Sequence, residues 1–179
     1  MNRKLSMHEL NRKSVDEFRH SAKNPMVIVL DNVRSQNNIG SIFRTADAFL
    51  AGGVYLCGIT PVPPHREIHK TALGATDSVH WEYHTSTLEA VVRLRQAGFV
   101  IVAFEQTEKS VPLAQFLPVK NQKYALVFGN EVHGVEQEVV DACDHCIEIP
   151  QYGTKHSLNI AVSAGIAIWE FHRQVKGRN

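Results

Sequence analysis

The chain has 179 residues and a net charge of +1; 44% of the residues are hydrophobic, 21% are charged, and there are 11 Gly, 7 Pro and 3 Cys. That suffices for one domain with one sizeable core, and it excludes a disordered chain, a collagen-like repeat and a disulfide scaffold. No apolar run approaches the roughly 18 residues of a membrane span, MNRKLSMHELNRK lacks the apolar stretch of a secretory signal, and three cysteines imply a reducing compartment, so the expectation is a cytoplasmic globular protein.

Residues 1–24 read as a separate basic extension. Ser6-x-x-Glu9 fits a capping box, and Leu10, Ser14 and Phe18 fall on one side of a short amphipathic helix. Six cations (Arg3, Lys4, Arg12, Lys13, Arg19, Lys23) face Glu9, Asp16 and Glu17 there, while Arg173, Lys176 and Arg178 face Glu170 at the other end. Basic ends on a mildly acidic body suit a phosphate backbone and equally suit solvated surfaces. Asn24-Pro25 breaks the chain.

From there strands and helices alternate. Residues 26–31 (MVIVLD) read as a buried strand, 39–51 as a helix ended by Gly52-Gly53, and 54–58 as a second strand before the Pro-rich loop 59–65. A short strand over 79–84 precedes a helix over 87–97, stopped by Gly98. Residues 99–105 and 124–129 are two more continuous apolar strands, with one helical turn over 112–117 between them. A short helix over 136–142, a strand over 145–150 and a closing helix over 157–175 complete the chain. Near-continuous apolar strands alternating with helices predict an α/β fold, a mostly parallel sheet covered on both faces.

Ligands of such sheets collect at the carboxyl ends of strands. Three of those ends carry loops dense in Gly and Asn, which suit special backbone angles and close approach of a ligand. Neither GxGxxG after the first strand nor GxxxxGK[ST] anywhere is present, so ordinary dinucleotide and P-loop phosphate cradles are missing. The first loop places Asn38 just before a helix and Arg44 in its second turn. A guanidinium there can grip phosphate bidentately; an Asn cap with Arg44 paired to Asp47 fits as well.

Asn38-x-Gly40-x-x-x-Arg44-Thr45-Ala46, Phe128-Gly129-x-Glu131-x-x-Gly134, and Ile149-Pro150 followed by Ser157-Leu158-Asn159 resemble the three successive motifs of the SpoU (TrmH-type) RNA 2′-O-ribose methyltransferases of the SPOUT superfamily. They stand in family order and near family spacing, over about residues 25–175. The resemblance implies a catalytic domain over 25–179 with a deep C-terminal trefoil knot, an exception to the rule against knots. It also implies a homodimer, S-adenosylmethionine as methyl donor, and a ribose 2′-hydroxyl of tRNA or rRNA as acceptor. Gln151-Tyr152-Gly153 stands where members often have Met-x-Gly, which affects the shape of the cofactor pocket.

The family match assigns Gly129, Ile149 and Leu158 to the cofactor, largely through their backbone, with Ser157 beside them; Thr107, after the strand ending at Glu105, is placed to line the same pocket. For Ile149 and Leu158 core packing is an ordinary alternative. A side chain at Gly129 is expected to stand where the ligand approaches. Asn38, Arg44, Glu131, Ser157 and Asn159 match the polar residues at the reacting centre. The family's arginine at this position is often cast as the base; a guanidinium keeps its proton, so a phosphate anchor that stabilises the developing alkoxide is the easier role. Glu131 fixes Arg44 or Asn38, acts on the proton, or caps the following helix. Ser157 and Asn159 sit at a helix start, where capping also explains them.

Cys143-Asp144-His145-Cys146 contains a CxxC, but with no second pair it reads as structural thiols rather than zinc ligands. His65 and His69 are spaced i, i+4 without the glutamate of HExxH, and no metal is expected; the stretch His65-Arg66-Glu67-Ile68-His69-Lys70 touches RNA or is solvated. A non-catalytic RNA-binding dimer of the same fold is the alternative function. A small-molecule enzyme is disfavoured by the missing phosphate loops.

Overall fold

The computed structural model describes residues 2–6 and 8–176. Arg178 lies outside them, and Lys176 is described by its backbone alone.

The core is one wholly parallel sheet of seven strands: β1 (Asn24–Asp31), β2 (Ala51–Cys57), β3 (Trp81–His84), β4 (Phe99–Phe104), β5 (Val111–Pro112), β6 (Lys123–Phe128) and β7 (His145–Glu148). Their order is β3-β2-β1-β6-β4-β7-β5. The chain winds outward from β1 through β2 to β3, then crosses to build the other half beyond β6. The order therefore reverses between β1 and β6, and a crevice opens outside their carboxyl ends.

The strands are apolar throughout because both faces are covered. Alternate residues Ile28, Leu30, Val54, Leu56, Leu126 and Phe128 point to one face. There they meet Ile39, Ile42 and Phe43 of α2 (Gln36–Ala48) and Ala164, Ile168 and Phe171 of α7 (Ile160–Lys176). Val27, Val29, Ala125 and Val127 point to the other face and meet Ala90, Val91 and Leu94 of α5 (Thr87–Gln96) and Val139 of α6 (Gln137–Asp141). Period-two alternation thus splits one apolar run between two cores.

Several boundaries differ from those read in the sequence. Glu9 does accept from the Ser6 N–H at 2.7 Å, but it opens only a 3-10 turn, His8–Leu10, after which Asn11 takes φ 46°. A second capping box, Ser14 with Glu17, starts α1 (Val15–His20). Two competing boxes divide what reads as one helix. Phe18 is buried in the main core, and Arg19 donates to the Asp77 carbonyl, at 3.0 Å from Nε. The extension is therefore docked on the sheet domain.

Asn24 and Pro25 open β1 rather than break the chain; Pro is tolerated early in a strand. Leu50 makes the left-handed turn (φ 50°), and Gly52 and Gly53 lie inside β2. A Cβ on Gly53 would stand 3.1 Å from the His80 carbonyl. α2 starts three residues early because Ser35 caps it, its Oγ accepting from Asn38 N at 3.3 Å. Asn38 is thus inside the first turn, not before it. Two short helices, α3 (Arg66–Ala72) and α4 (Ala75–Ser78), fill a stretch the sequence leaves unassigned. Gly40 lets α3 sit against α2: an added Cβ would fall 2.3 Å from the Ile68 carbonyl.

Among the described residues no helix is long and apolar enough to cross a membrane.

Candidate active site

The site grows from the carboxyl ends of β1, β4, β6 and β7. Asp31, the last residue of β1, is fully buried. Its carboxylate accepts from Thr87 Oγ1 at 2.5 Å, Asn32 Nδ2 at 3.0 Å and Glu136 N at 2.8 Å, which ties three loops to one strand end. A buried carboxylate with three donors is satisfied, and its loops are correspondingly fixed.

The loop after β6 closes on itself through reciprocal backbone bonds of 2.9 Å between Asn130 and Gly134. Asn130 Oδ1 accepts from Val132 N and His133 N, while its Nδ2 donates to the Asn32 carbonyl at 2.7 Å. Glu105, just beyond β4, accepts from Val135 N at 3.0 Å and packs under Gly134. Gly134 takes φ 72°, a conformation for which glycine is suited.

Gly129 is constrained by its own loop. An added Cβ would lie 2.0 Å from Gly134 C and 2.1 Å from Val135 N. Closure of its own loop therefore requires the glycine.

This folded loop aims Glu131 at the start of α2. Its carboxylate accepts from Arg34 N (3.1 Å), Ser35 N (3.0 Å) and Asn38 Nδ2 (3.3 Å). Partial desolvation pushes the carboxyl up, but these N–H donors outweigh it and hold Glu131 below the ordinary carboxylate range. Glu131 thus joins the β6 loop to the β1 loop and fixes Asn38. Among the described residues it neither caps its own following helix nor bonds Arg44.

Asn159 completes the network. Its Oδ1 caps α7, accepting from Ala161 N at 2.9 Å and Val162 N at 3.3 Å, and its Nδ2 donates to Asn38 Oδ1 at 3.1 Å. Capping and site membership hold together. Ser157 and Leu158 precede the helix in an exposed loop.

Beside this network is a cavity of about 500 Å³. Gly129, Glu131, Ile149, Ser157, Leu158 and Asn159 all line it. Its size is typical of small-molecule sites. Glu105, Gln106, Glu148 and His156 line it too and were missed in the sequence. The only signal for Glu105 and Gln106 is their place at a strand's carboxyl end. Thr107 is outside this lining; its carbonyl accepts from Ser110.

Arg44 is also outside the lining. It is exposed on the outer face of α2 with Asn37 and Ala48 and has no side-chain partner among the described residues. Asp47 instead accepts from Ser78 Oγ at 2.5 Å, so the intrahelical pair is not formed.

Cys143 and Cys146 are half-buried. The Cys143 thiol bonds the Val139 carbonyl, and burial pushes it up to about 12. Among the described residues no group of three or more His, Cys, Asp or Glu is placed to hold a metal.

The SpoU rRNA Methylase family model matches residues 25–169. A 23S rRNA (guanosine-2′-O-)-methyltransferase of Nitrosomonas europaea is 33% identical over 83% of this chain, which spans 56% of that enzyme. A tRNA (guanosine(18)-2′-O)-methyltransferase of Aquifex aeolicus is 32% identical over 93% of this chain and 77% of its own length. The structure of an AdoMet-bound rRNA methyltransferase from Sinorhizobium meliloti superposes with a TM-score of 0.78 at 31% identity, over 88% of this chain and 60% of that one.

Proposed function

The chain belongs to the SpoU rRNA methylase family, and on that premise we propose that it transfers a methyl group from S-adenosylmethionine to a ribose 2′-hydroxyl of tRNA or rRNA. The observation that carries this reading is the Asn38–Glu131–Asn159 network at the wall of the 500 Å³ cavity. Three motifs distant in sequence meet there. The relatives named as 2′-O-methyltransferases and the AdoMet-bound neighbour support it.

The cavity suits the donor in size and in charge. Backbone at Gly129, Ile149 and Leu158 is available to an adenosine, and the carboxylates of Glu105, Glu131 and Glu148 suit a cationic ligand. The donor supplies a methyl carbon already activated on a sulfonium, so the protein's task is alignment and electrostatic support. Both oxygens of Glu131 are occupied by N–H donors, which makes it a positioning residue rather than a base. It holds Asn38 against Asn159, and their amides orient the ribose. Ser157, on the same wall, offers a hydroxyl.

This acidic cavity lacks a cation for the RNA phosphate, and Arg44 of the same chain does not line it. The reading therefore includes a two-fold homodimer in which Arg44 of one protomer serves the cavity of its partner, gripping phosphate and stabilising the alkoxide. Half-exposed Val162, Ile166 and Trp169 form an i, i+4, i+7 stripe on α7, which packs against Arg44's helix. A second copy covers that stripe. The reading also includes a deep trefoil knot, since the loops after β6 and β7 line one cavity and α7 returns beside α2. Cytoplasmic location follows from an RNA substrate.

The test is transfer of radiolabelled methyl from S-adenosylmethionine to bulk unmodified RNA, followed by digestion to nucleosides. Label in 2′-O-methyl nucleosides is expected; label only in bases, or none, overturns the reading.

A further inference from the structure

A second cavity, of about 470 Å³, opens between α3, α4 and the start of β3. Pro63, His65, Arg66, His69, Asp77 and Trp81 line it. The half-buried indole of Trp81 forms part of its wall, and its N–H has no partner among the described residues. Its rim is basic. Arg66 is 93% exposed, with one long ion pair to Glu67 at 3.9 Å, and His65 and His69 are exposed beside it. Docking of α1 places the Arg19 guanidinium against the Asp77 carbonyl.

We propose that this cavity is a second RNA-docking site, taking one unpaired nucleoside and its phosphate from a part of the RNA away from the methylated ribose. The inference rests on the RNA substrate proposed above. An indole stacks on any base face, and the Arg66 guanidinium at the rim meets the phosphate. Asp77 adds an acceptor for an exocyclic amino group, which favours amino-bearing bases. Unpaired bases are the usual targets of RNA recognition because their faces and edges are free.

The site is rigidly linked to the methyl-transfer machinery. Ser78 of α4 is bonded to Asp47, one turn after Arg44, at 2.5 Å. Thr71 of α3 donates to the Asn37 carbonyl of α2 at 3.1 Å, in the turn that holds Asn38. An RNA seated on Trp81 is thereby held at a fixed distance from Arg44. A basic protein chain has no such use for this rim, since Arg66 would repel it.

The test compares wild type with the double variant Arg66→Ala/His69→Ala, whose side chains are exposed, and with Trp81→Ala. Three readouts are taken with an unmodified tRNA pool and rRNA transcripts: steady-state methylation, direct RNA affinity by filter retention, and donor affinity by calorimetry. Expected in the double variant is a rise of about tenfold in KM for RNA and a matching loss of RNA affinity. Turnover number and donor affinity should be unchanged, and the salt slope of binding should flatten by about one contact. Ultraviolet crosslinking of wild type should place RNA adducts on the peptide holding Trp81. Trp81 also packs on the core, so the double variant decides if Trp81→Ala fails to fold. Unchanged RNA affinity and KM in the double variant, with no adduct near Trp81, overturn the docking site while leaving ribose methylation standing. If wild type methylates no RNA, the functional reading fails, and the retention and crosslinking arms still decide the docking site. Binding of an acidic peptide but not RNA would also overturn it.

Discussion

Asn159 Nδ2 donates to Asn38 Oδ1 at 3.1 Å, joining the cap of the last helix to the first turn of the second across 121 residues. Asn38 can accept there because Glu131 takes its other end, the Nδ2 donor. The amide orientation of Asn38 is therefore fixed from both sides. Removing either neighbour frees the group proposed to orient the ribose.

Glu131→Gln should loosen this arrangement in a pH-dependent way. The wild-type carboxyl is held below its ordinary range by the Arg34, Ser35 and Asn38 donors against partial desolvation. A depressed folded-state value means its contribution is complete above the ordinary Glu range and is lost as pH falls through the depressed value. Amide chemical shifts of Arg34 and Ser35 should follow one protonation at acidic pH in wild type and none in the variant. Methylation at neutral pH should drop about tenfold. A titration that persists in Glu131→Gln would assign it to another group.

Arg44→Lys should lower turnover about 100-fold, or about 2.7 kcal/mol, with unchanged melting temperature and donor affinity. The Arg44 side chain is exposed, has no partner among the described residues and does not line the cavity of its own chain. Lysine retains the charge but loses the planar fork. Steady-state kinetics with calorimetric donor binding checks this; near-normal turnover would remove the guanidinium from the reaction.

Gly129→Ala should destabilise the fold by about 3 kcal/mol rather than block the cofactor selectively. Its Cβ would sit 2.0 Å from the backbone of Gly134. Urea unfolding without the donor measures it. A fully stable variant that has lost donor binding would contradict this and favour a role confined to ligand approach.

Deleting residues 1–22 removes five cations (Arg3, Lys4, Arg12, Lys13 and Arg19) but also Phe18, so two effects must be separated. Phe18→Ala alone should cost about 3 kcal/mol of stability, since the ring is buried against the core shared with α4. Arg12→Gln/Lys13→Gln should leave stability within about 0.5 kcal/mol and flatten the salt dependence of RNA affinity. Denaturant melts and binding at several salt concentrations distinguish the two.

Sequence periodicity is enough to find all the long strands, because Met26–Leu30, Phe99–Phe104 and Tyr124–Phe128 are buried on both faces and read as unbroken apolar runs. It fails where local signals compete. Two capping boxes eight residues apart split the N-terminal helix, and a left-handed Leu50 stops α2 where Gly52-Gly53 look like the stop. Site residues Asn38, Glu131 and Asn159 were legible through matched motifs. Asn130 and Glu105 were not, because they act on the backbone of a loop whose closure has no pattern in sequence. Nor was the solitary position of Arg44, which depends on Asp47 choosing Ser78.

The composite site is tested most directly by mixing two inactive variants, Arg44→Ala and Glu131→Ala, through co-expression with distinct tags. In a mixed dimer with shared sites, one site carries both defects and the other carries neither. Random pairing makes half the dimers mixed, so RNA methylation should recover to about a quarter of wild type. If each site is built within one chain, every site carries one defect, and tagged, purified mixed dimers with no activity would contradict the account.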